Sequence, residues 1–469
     1  MRSILIDTQA PPPYIPRKNE ILWYDKLEMN YKRIESSKWR KYQTQYQRKE
    51  RVKFYKRRLP FILSIFAGVI GLFFLIFIAS AWFPASLTSK SHTTVLVEKK
   101  PDVNSGRSSE TDLVPFLNEA LADSARLTDE WAVERNGSRF TIKTTIDAKL
   151  QKYIVSLLKR PRTVQSAVVV LNPYDGRILA MAGYDVNGNT GNLCLSADFP
   201  AASLFKIVSA AAAFETAGYW PDKQLSYTGR RHTLYKFQLK QPTKRSTRQT
   251  RFRKAFANSN NSVFGKLGIY DLGQEILAEY ADRFFFNQSI PFDYPIAAST
   301  IDVPENEFGL AEIASGFNKQ TLISPLHAAL FAAVVANKGE MAAPWLVDSI
   351  TYKTGEFLYK ARCRMLTPPI SSRTAAELKI LMQDAVISGT SRSVFRKLRH
   401  KKKFKKLALG AKTGTINDKN DRFKYDWISS YAVSPNGGGA ISVSVLGVHG
   451  RKLGVRSTEF ARAIIDYYF

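Results

Sequence analysis

An uncharged run of 23 residues, Phe61–Phe83, constrains the fold of this chain more than any other feature. At about 1.5 Å per residue, a helix of this length crosses the roughly 30 Å hydrocarbon core of a bilayer. A buried helix of a soluble core would be shorter and would show a polar face. The sequence therefore predicts one transmembrane helix within residues 59–83.

The charges on either side of this run predict its orientation. Residues 1–58 carry 16 Lys and Arg against 6 Asp and Glu. Because basic residues flank membrane helices on the cytoplasmic side, we expect this tail inside the cell and everything after Phe83 outside it. A 58-residue leader is too long for a usual signal peptide, so we expect an uncleaved anchor. The polar residues 84–136 are interpreted as an extracytoplasmic linker.

The 469 residues carry a formal charge of +29, which favours nucleic acid, acidic lipid or an anionic polymer as partner. The basic tail is interpreted as a juxtamembrane segment that lies against acidic lipid headgroups. Nucleic acid is not expected as a partner of the part outside the cell. Basic stretches at 230–254 and 396–406 are either solvated surface or sites that attract an anionic polymer or membrane. The few histidines and cysteines form no ligand cluster, so no metal site is predicted. Two separate buried thiols are favoured over a Cys194–Cys363 disulfide.

Residues 137–469 alternate between predicted strands and helices. Strands are expected at 139–146, 166–171, 177–182, 407–415, 426–433 and 440–448, and helices at 148–159, 203–217, 304–317, 325–337, 373–388 and 458–468. Residues 111–135 are predicted to form one or two short helices. This order predicts an α/β fold, in which helices flank an antiparallel sheet and a helical subdomain separates the two halves of the sheet.

The segment Ser203-Leu204-Phe205-Lys206 begins an Ala-rich helix that is apolar all round. Residues i and i+3 share one face of a helix, so the Lys206 amine can approach the Ser203 hydroxyl. A serine hydroxyl needs an adjacent base to act as a nucleophile, and apolar burial lowers the pKa of a lysine enough for this role. Alone, Ser-x-x-Lys usually lies on a solvated helix face, but its apolar flanks favour the catalytic interpretation.

Two further motifs follow along the chain. Ser259-Asn260-Asn261, taken alone, could be an ordinary helix cap or polar loop. Lys412-Thr413-Gly414-Thr415 ends a predicted strand, where a lysine and two hydroxyls suit a substrate carboxylate and glycine permits close approach. The order Ser-x-x-Lys, Ser-x-Asn, Lys-Thr-Gly, at gaps of 56 and 153 residues, makes the three motifs together a strong signal.

With these motifs, the chain resembles the transpeptidase domain of the penicillin-binding proteins, closest to the class A type. The resemblance covers about residues 137–469 and includes segments that read TIDAKLQKYI, SAVVVLNPYDGRILAMAGYD and ISGTS. It implies a β-lactamase/transpeptidase-like fold and a D,D-transpeptidase on the outer, periplasmic side of the bacterial cytoplasmic (inner) membrane. Peptidoglycan stem peptides ending in D-Ala-D-Ala would be substrates, β-lactams would be inhibitors, and no metal or organic cofactor would be needed.

The resemblance also implies roles for individual residues. Ser203 would be the acylated nucleophile, with Lys206 as its general base and Ser259 as a proton relay. The substrate-binding residues would be Asn261, Lys412, Thr413, Gly414 and Thr415. The backbone N–H groups of Ser203 and Thr415 would form the oxyanion hole. Attack by a stem-peptide amine would give the cross-link, whereas water would give carboxypeptidase activity.

Two departures from the family pattern are visible. Pro200-Ala201-Ala202 precedes the nucleophile where the family usually has a glycine beside the serine, so we expect a turn of different shape. The class A glycosyltransferase domain is absent between the predicted span and residue 137, so glycan polymerisation is not expected. A membrane-bound β-lactamase, a β-lactam sensor and an inactive scaffold of the cell-wall machinery remain as alternatives. The anionic polymer that the basic stretches could attract would here be a polymer of the cell wall.

Overall fold

The computed structural model describes residues 112–158, 163–188, 191–241, 247–401, 404–435, 437 and 439–469. The predicted span at 59–83, the basic tail and residues 84–111 lie outside the described residues. Within the described ranges, none of the helices combines the length and the apolar character needed to cross a bilayer.

The described helices fall between Val114 and Tyr468. The α-helices, numbered in chain order, are α1 (Val114–Ala122), α2 (Ala148–Leu158), α3 (Lys206–Thr216), α4 (Lys236–Leu239), α5 (Phe252–Ala257), α6 (Asn261–Leu267), α7 (Gly273–Arg283), α8 (Glu307–Ser315), α9 (Pro325–Ala336), α10 (Ser372–Ile387), α11 (Arg392–Arg399) and α12 (Ser457–Tyr468). Short 3₁₀ turns occupy Ser124–Arg126 and Ala202–Phe205, and a π-helical turn occupies Gly268–Leu272.

The strands form one five-stranded sheet, one four-stranded sheet and three two-stranded ribbons among the described residues. In chain order they are β1 (Glu130–Arg135), β2 (Ser138–Thr144), β3 (Gln165–Leu171), β4 (Ile178–Asp185), β5 (Phe199–Pro200), β6 (Gln224–Tyr227), β7 (Arg248–Arg251), β8 (Leu322–Ile323), β9 (Met341–Ala342), β10 (Val347–Tyr352), β11 (Phe357–Lys360), β12 (Met365–Leu366), β13 (Ala408–Asn417), β14 (Lys424–Val433) and β15 (Ala440–His449).

The five-stranded sheet has the order β13-β14-β15-β3-β4, and all its neighbours are antiparallel. Its strands come from both ends of the described chain, and helices α3 to α11 lie between them in sequence. The predicted antiparallel sheet with a helical insertion between its halves is therefore confirmed. The four-stranded sheet β1-β2-β10-β11 is a second, separate sheet.

Helices cover both faces of the five-stranded sheet. Along β3, Val169 packs into the core on one side, whereas Val168 and Val170 pack into the core on the other. Helix α9 is buried along its whole length against the first face, and α2 and α12 cover the second. A sheet covered on both faces carries continuous apolar runs instead of alternation, which explains the sequence of β3 and β15.

Residues 111–135 differ from the sequence prediction in their second half. Helix α1 and the 3₁₀ turn match the predicted short helices, but Glu130–Arg135 is a strand that pairs with β2. In β1 the exposed and partly buried residues alternate with period two, and Trp131 and Val133 pack onto the core. The pairing with β2 favours the extended conformation here. The described part of the predicted linker 84–136 is therefore folded, with Leu117 fully buried.

Both cysteines are free thiols. Cys194 is buried, whereas Cys363 is exposed in the stretch between β11 and β12. The expectation of two separate thiols is confirmed, and the expected burial of Cys363 is wrong because this connection lies on the surface.

The Asp426 carboxylate joins β14 to the start of α12. It accepts hydrogen bonds from Arg456 Nε at 3.0 Å, from Arg456 Nη2 at 2.7 Å and from the Ser457 backbone N–H at 2.8 Å. The His449 ring lies 3.8 Å away, and Thr415 Oγ1 lies 3.4 Å away on β13. Burial alone would raise the pKa of Asp426, but the His449 and Arg456 side chains hold it well below its usual range. This group therefore fixes the end of the Lys-Thr-Gly strand to the C-terminal helix.

We expect Asp426→Asn to lower the free energy of unfolding by about 2 kcal/mol at pH 7, less than for a fully buried pair because Arg456 is half exposed. A depressed folded-state pKa contributes stability that is complete above the unfolded pKa of about 4 and is lost as the pH falls below it. The difference between wild type and variant should therefore shrink below pH 4. Urea unfolding across this pH range measures it. As a control, substitution of the exposed Asp302 by Asn should change the free energy of unfolding little. If the stability difference between wild type and Asp426→Asn stays constant down to pH 3, the pKa of Asp426 is not lowered as described.

Candidate active site

The predicted nucleophile stands in a short turn before a buried helix. Ser203 lies within the 3₁₀ turn Ala202–Phe205, and Lys206 is the first residue of α3. Ala202 adopts a left-handed conformation with φ of 50°, which costs an alanine more than a glycine. The turn rests on Gly316 at the end of α8, where a Cβ would stand only 2.0 Å from the Ala202 carbonyl oxygen. The departure seen in the sequence is therefore accommodated by a left-handed alanine.

The Lys206 amine is fully buried and lies at hydrogen-bond distance from three oxygens. Its Nζ is 2.9 Å from Ser203 Oγ and 2.8 Å from Asn261 Oδ1, and it donates to the Ser315 carbonyl. The Phe264 ring centroid lies 5.5 Å away. Burial, and secondarily the positive charge of Lys412, hold the pKa of Lys206 well below the usual lysine value.

This geometry suits a neutral amine that accepts a proton. Two of the three oxygens, Asn261 Oδ1 and the Ser315 carbonyl, can only accept, so they use the two N–H bonds of a neutral amine. The nitrogen lone pair is then left for the hydroxyl of Ser203. In this arrangement Ser203 O–H donates to Lys206 Nζ, which is the starting geometry for general-base activation of a serine.

The second motif forms the turn between α5 and α6. Its middle residue, Asn260, is the helix cap, because its Oδ1 accepts from the Val263 backbone N–H at 3.2 Å. Asn261 Nδ2 donates to the His232 carbonyl at 3.1 Å, so its Oδ1 is directed to Lys206. Ser259 has a left-handed φ of 52° and its Oγ faces Lys412. The cap interpretation thus holds for Asn260 alone, while its two neighbours contact the buried lysines.

The third motif lies on β13, at an edge of the five-stranded sheet. Lys412 is fully buried, and its Nζ is 3.1 Å from Ser259 Oγ and 2.7 Å from the Thr413 carbonyl oxygen. Burial lowers the pKa of Lys412 to about 7. The Thr413 and Thr390 hydroxyls are 2.6 Å apart, and Thr415 is exposed beside the Asp426 group. A cation at neutral pH and below, with exposed hydroxyls nearby, suits a carboxylate.

Gly414 brings the edge of β13 close to the nucleophile turn. A Cβ at this position would stand 3.2 Å from the Ala202 Cβ and 3.3 Å from the Ser203 backbone nitrogen. A side chain here would therefore crowd the space between the Ser203 N–H and the strand.

The structure brings the predicted residues together in two linked networks. Ser203, Lys206 and Asn261 form the first, and Ser259, Lys412 and the neighbouring Thr413 form the second; residues 259–261 belong to one turn and so join them. Gly414 and Thr415 continue the same strand, with Gly414 packed on the nucleophile turn.

Three contributors were not assigned from the sequence. Ser315 and His232 take part through main-chain carbonyls, which leave no side-chain signature. Thr390 contacts Thr413 through its hydroxyl, and its only signal was its place in the segment ISGTS. Within the described ranges, no group of three or more histidine, cysteine, aspartate or glutamate side chains could hold a metal ion.

Solved structures with the same fold include several penicillin-binding proteins. The D,D-transpeptidase domain of a peptidoglycan glycosyltransferase from Eggerthella lenta is 21% identical, with a TM-score of 0.57 over 69% of this chain and 82% of that one. Penicillin-binding protein A from Mycobacterium tuberculosis, as a ceftriaxone acyl-enzyme, is 23% identical, with a TM-score of 0.57 over 70% and 80%. Penicillin-binding protein 3 from the same organism, with aztreonam, is 18% identical, with a TM-score of 0.57 over 70% and 78%.

A search of curated proteins finds no significant match. The family model described as the penicillin binding protein transpeptidase domain matches residues 166–466, more than half of the chain, and this range contains all three motifs. The chain therefore belongs to the penicillin-binding protein transpeptidase family.

Proposed function

We propose that this chain is a membrane-anchored D,D-transpeptidase that cross-links peptidoglycan stem peptides through an acyl-serine intermediate. The observation that carries the proposal is the fully buried Lys206 amine, 2.9 Å from Ser203 Oγ and with a lowered pKa. A neutral amine at this distance is the base that a serine nucleophile requires. The acyl-enzyme of penicillin-binding protein A with ceftriaxone is a precedent in a protein of the same fold.

In the first step, Ser203 Oγ attacks the carbonyl carbon of the penultimate D-Ala and its proton passes to Lys206 Nζ. The oxygen that becomes negative would be stabilised by the backbone N–H groups of Ser203 and Thr415. The position of the Ser203 nitrogen, close to Gly414 and the edge of β13, supports this assignment. The amide bond to the terminal D-Ala then breaks, and the acyl group remains on Ser203 as an ester.

The leaving nitrogen needs a proton, and Ser259 is placed to deliver one. Its hydroxyl accepts from Lys412 Nζ at 3.1 Å, so its own O–H proton is free to be directed into the cleft. Ser259 can thus donate to the departing amine and recover a proton through the lysines. In the second step an acceptor amine from another stem peptide attacks the ester, forms the new amide and returns the proton to Ser203.

The other lysine is assigned to substrate binding. Lys412 and the hydroxyls of Thr413 and Thr415 would hold the terminal carboxylate of the stem peptide, or the carboxylate of a β-lactam. Asn261 would orient the substrate amide while its Oδ1 holds Lys206. The proposed steps use only side-chain and main-chain groups of this chain.

We also propose that residues 59–83 anchor the enzyme in the bacterial cytoplasmic membrane, with tail 1–58 inside and domain 137–469 outside. The support is the length of the uncharged run and the excess of basic residues before it. An extracytoplasmic position is also where peptidoglycan stem peptides are found.

Full-length protein in detergent should gain the mass of one penicillin on incubation, and the adduct should persist for hours. Ser203→Ala should form none. Ser209→Ala, which changes another buried serine on the same helix, should retain the adduct. Intact-mass spectrometry follows the reaction. Rapid loss of the adduct with release of opened drug would identify a β-lactamase. A lasting adduct without turnover of stem peptide would identify a sensor. If no adduct forms, the proposed acyl transfer is wrong and the inactive scaffold is the remaining alternative.

The rate of acylation by penicillin should follow a bell-shaped pH profile. The rate rises as Lys206 loses its proton, at a pH well below the usual lysine pKa, and falls as Lys412 loses its proton near pH 7. Because the two lysines interact, the apparent values belong to the pair. Stopped-flow measurement of acylation over pH 5–10 tests the profile.

Two substitutions of Lys412 separate the limbs of that profile. Lys412→Arg keeps a charge that does not titrate, so the falling limb should move to alkaline pH. Lys412→Gln removes the charge that lowers the pKa of Lys206, so the rising limb should move to higher pH. If neither limb moves, Lys412 does not act as proposed.

The exposed Cys363 provides a test of topology. In spheroplasts that express the full chain, a membrane-impermeant maleimide should label the protein from outside, because Cys363 is exposed and Cys194 is buried. Cys363→Ser should abolish labelling of the intact spheroplasts. Labelling only after lysis would place the domain in the cytoplasm and contradict the proposed orientation.

A further inference from the structure

A cavity of about 330 Å³ lies beside α11, apart from the proposed catalytic residues. We call it the arginine pocket; its lining residues are Ile387, Arg392, Arg396, Arg399 and His400. The three arginines are spaced by four and three residues, so they share one face of the helix. The neighbouring face, with Phe395 and Leu398, is buried in the core. The backbone that carries the arginines is thus fixed by packing.

The three guanidinium groups have no carboxylate partner among the described residues. Elsewhere on the described surface, arginines such as Arg253 and Arg283 lie within 4.0 Å of a carboxylate. The Asp466 carboxylate on α12 binds Lys401 at 2.6 Å, and Arg462 approaches it at 3.9 Å. Ion pairing within the described fold therefore does not neutralise the charge of the pocket.

The arrangement of the donors is partly fixed. Arg399 Nη1 lies 3.5 Å from the Ile387 carbonyl oxygen, which holds its side chain toward the end of α10. Three like charges on one helix face repel one another, and this cost falls when an anion binds between them. Guanidinium groups bind phosphate through paired N–H donors, and a tetrahedral phosphate can accept from several of them at once. A single carboxylate would offset less of the charge.

We propose that the arginine pocket binds a phosphate-bearing ligand. The phosphate could belong to a phospholipid headgroup or to a soluble phosphate polymer, since both present the same chemistry to the three arginines. This inference is independent of the proposed acyl transfer, because no lining residue takes part in the Ser203 or Lys412 networks. Ile387 lines the pocket, and Thr390, three residues later, contacts Thr413 on β13 through its hydroxyl. A short segment of chain therefore links the pocket to the cleft.

The test uses full-length protein in a nonionic detergent and fluorescently labelled polyphosphate as the probe, with binding measured by anisotropy at about 150 mM salt. At this ionic strength, charges more than about 8 Å apart are largely screened, so a specific pocket should stand out from net charge. Changing Arg392, Arg396 and Arg399 together to Gln should weaken binding at least about tenfold, because charge-assisted contacts are lost.

The matched control removes three positive charges from a different exposed surface, through Lys353→Gln, Arg362→Gln and Arg364→Gln. It should weaken binding less than about twofold. Equal weakening by both triple variants would show that net charge alone binds the probe and would overturn the proposal. Circular dichroism melting checks that each variant is folded; if the arginine triple is not, Arg396→Gln alone should still weaken binding more than Arg362→Gln alone.

Doping the micelles with phospholipid identifies the source of the phosphate. If phosphatidylglycerol displaces the probe from wild type and phosphatidylcholine does not, the ligand is an anionic headgroup. If neither displaces it, the pocket selects soluble phosphate polymers. Failure of wild type to bind polyphosphate, together with the same affinity of wild type and the arginine triple for phosphatidylglycerol micelles, would refute the site.

Discussion

Two lysine side chains are buried in one cleft, and within the described ranges neither has a carboxylate partner. An isolated buried ammonium ion costs several kcal/mol, so such a group either finds neutral acceptors or gives up its proton. Lys206 has neutral acceptors and a lowered pKa, and the helices packed around it keep its amine buried. Helix α3 is buried almost all round, the ring of Phe264 lies over the amine, and α8 presents the Ser315 carbonyl. Water admitted to this region would solvate the ammonium and raise the pKa of Lys206, so less of the neutral amine would be present to accept the proton of Ser203.

The sequence was most informative where side-chain chemistry and periodicity coincide. Apolar runs located β3 and β15, and three short motifs identified the residues that meet at the cleft. It was less informative where the structure depends on partners distant in sequence. Glu130–Arg135 is extended because β2 pairs with it, and the Ser315 and His232 carbonyls matter only through their positions. Main-chain groups carry no residue-specific signal, so contacts of this kind become visible only in three dimensions.

Two strained backbone positions lie in the two loops of the cleft that carry Ser203 and Ser259. Ala202 and Ser259 both have left-handed φ angles, a conformation that costs a non-glycine residue roughly 1–2 kcal/mol. The surroundings of the first turn hold it in place. The Ala201 backbone N–H donates to the Thr321 carbonyl at 2.8 Å, and Trp427 Nε1 donates to the Pro200 carbonyl at 2.9 Å. The alanine beside the nucleophile is therefore tolerated because Thr321, Trp427 on β14 and the glycine that ends α8 restrict the turn.

The position of β13 at the edge of the sheet has a consequence for solubility. Among the described residues this strand pairs only with β14, so its outer main-chain groups form the kind of edge along which copies of a protein join and aggregate. If the β13 edges of two copies paired, their two five-stranded sheets would join into one continuous sheet. The turn that carries Ser203 packs on the same strand, close to Gly414, and obstructs such an approach. A variant that displaced this turn would therefore expose more of the unpaired edge of β13.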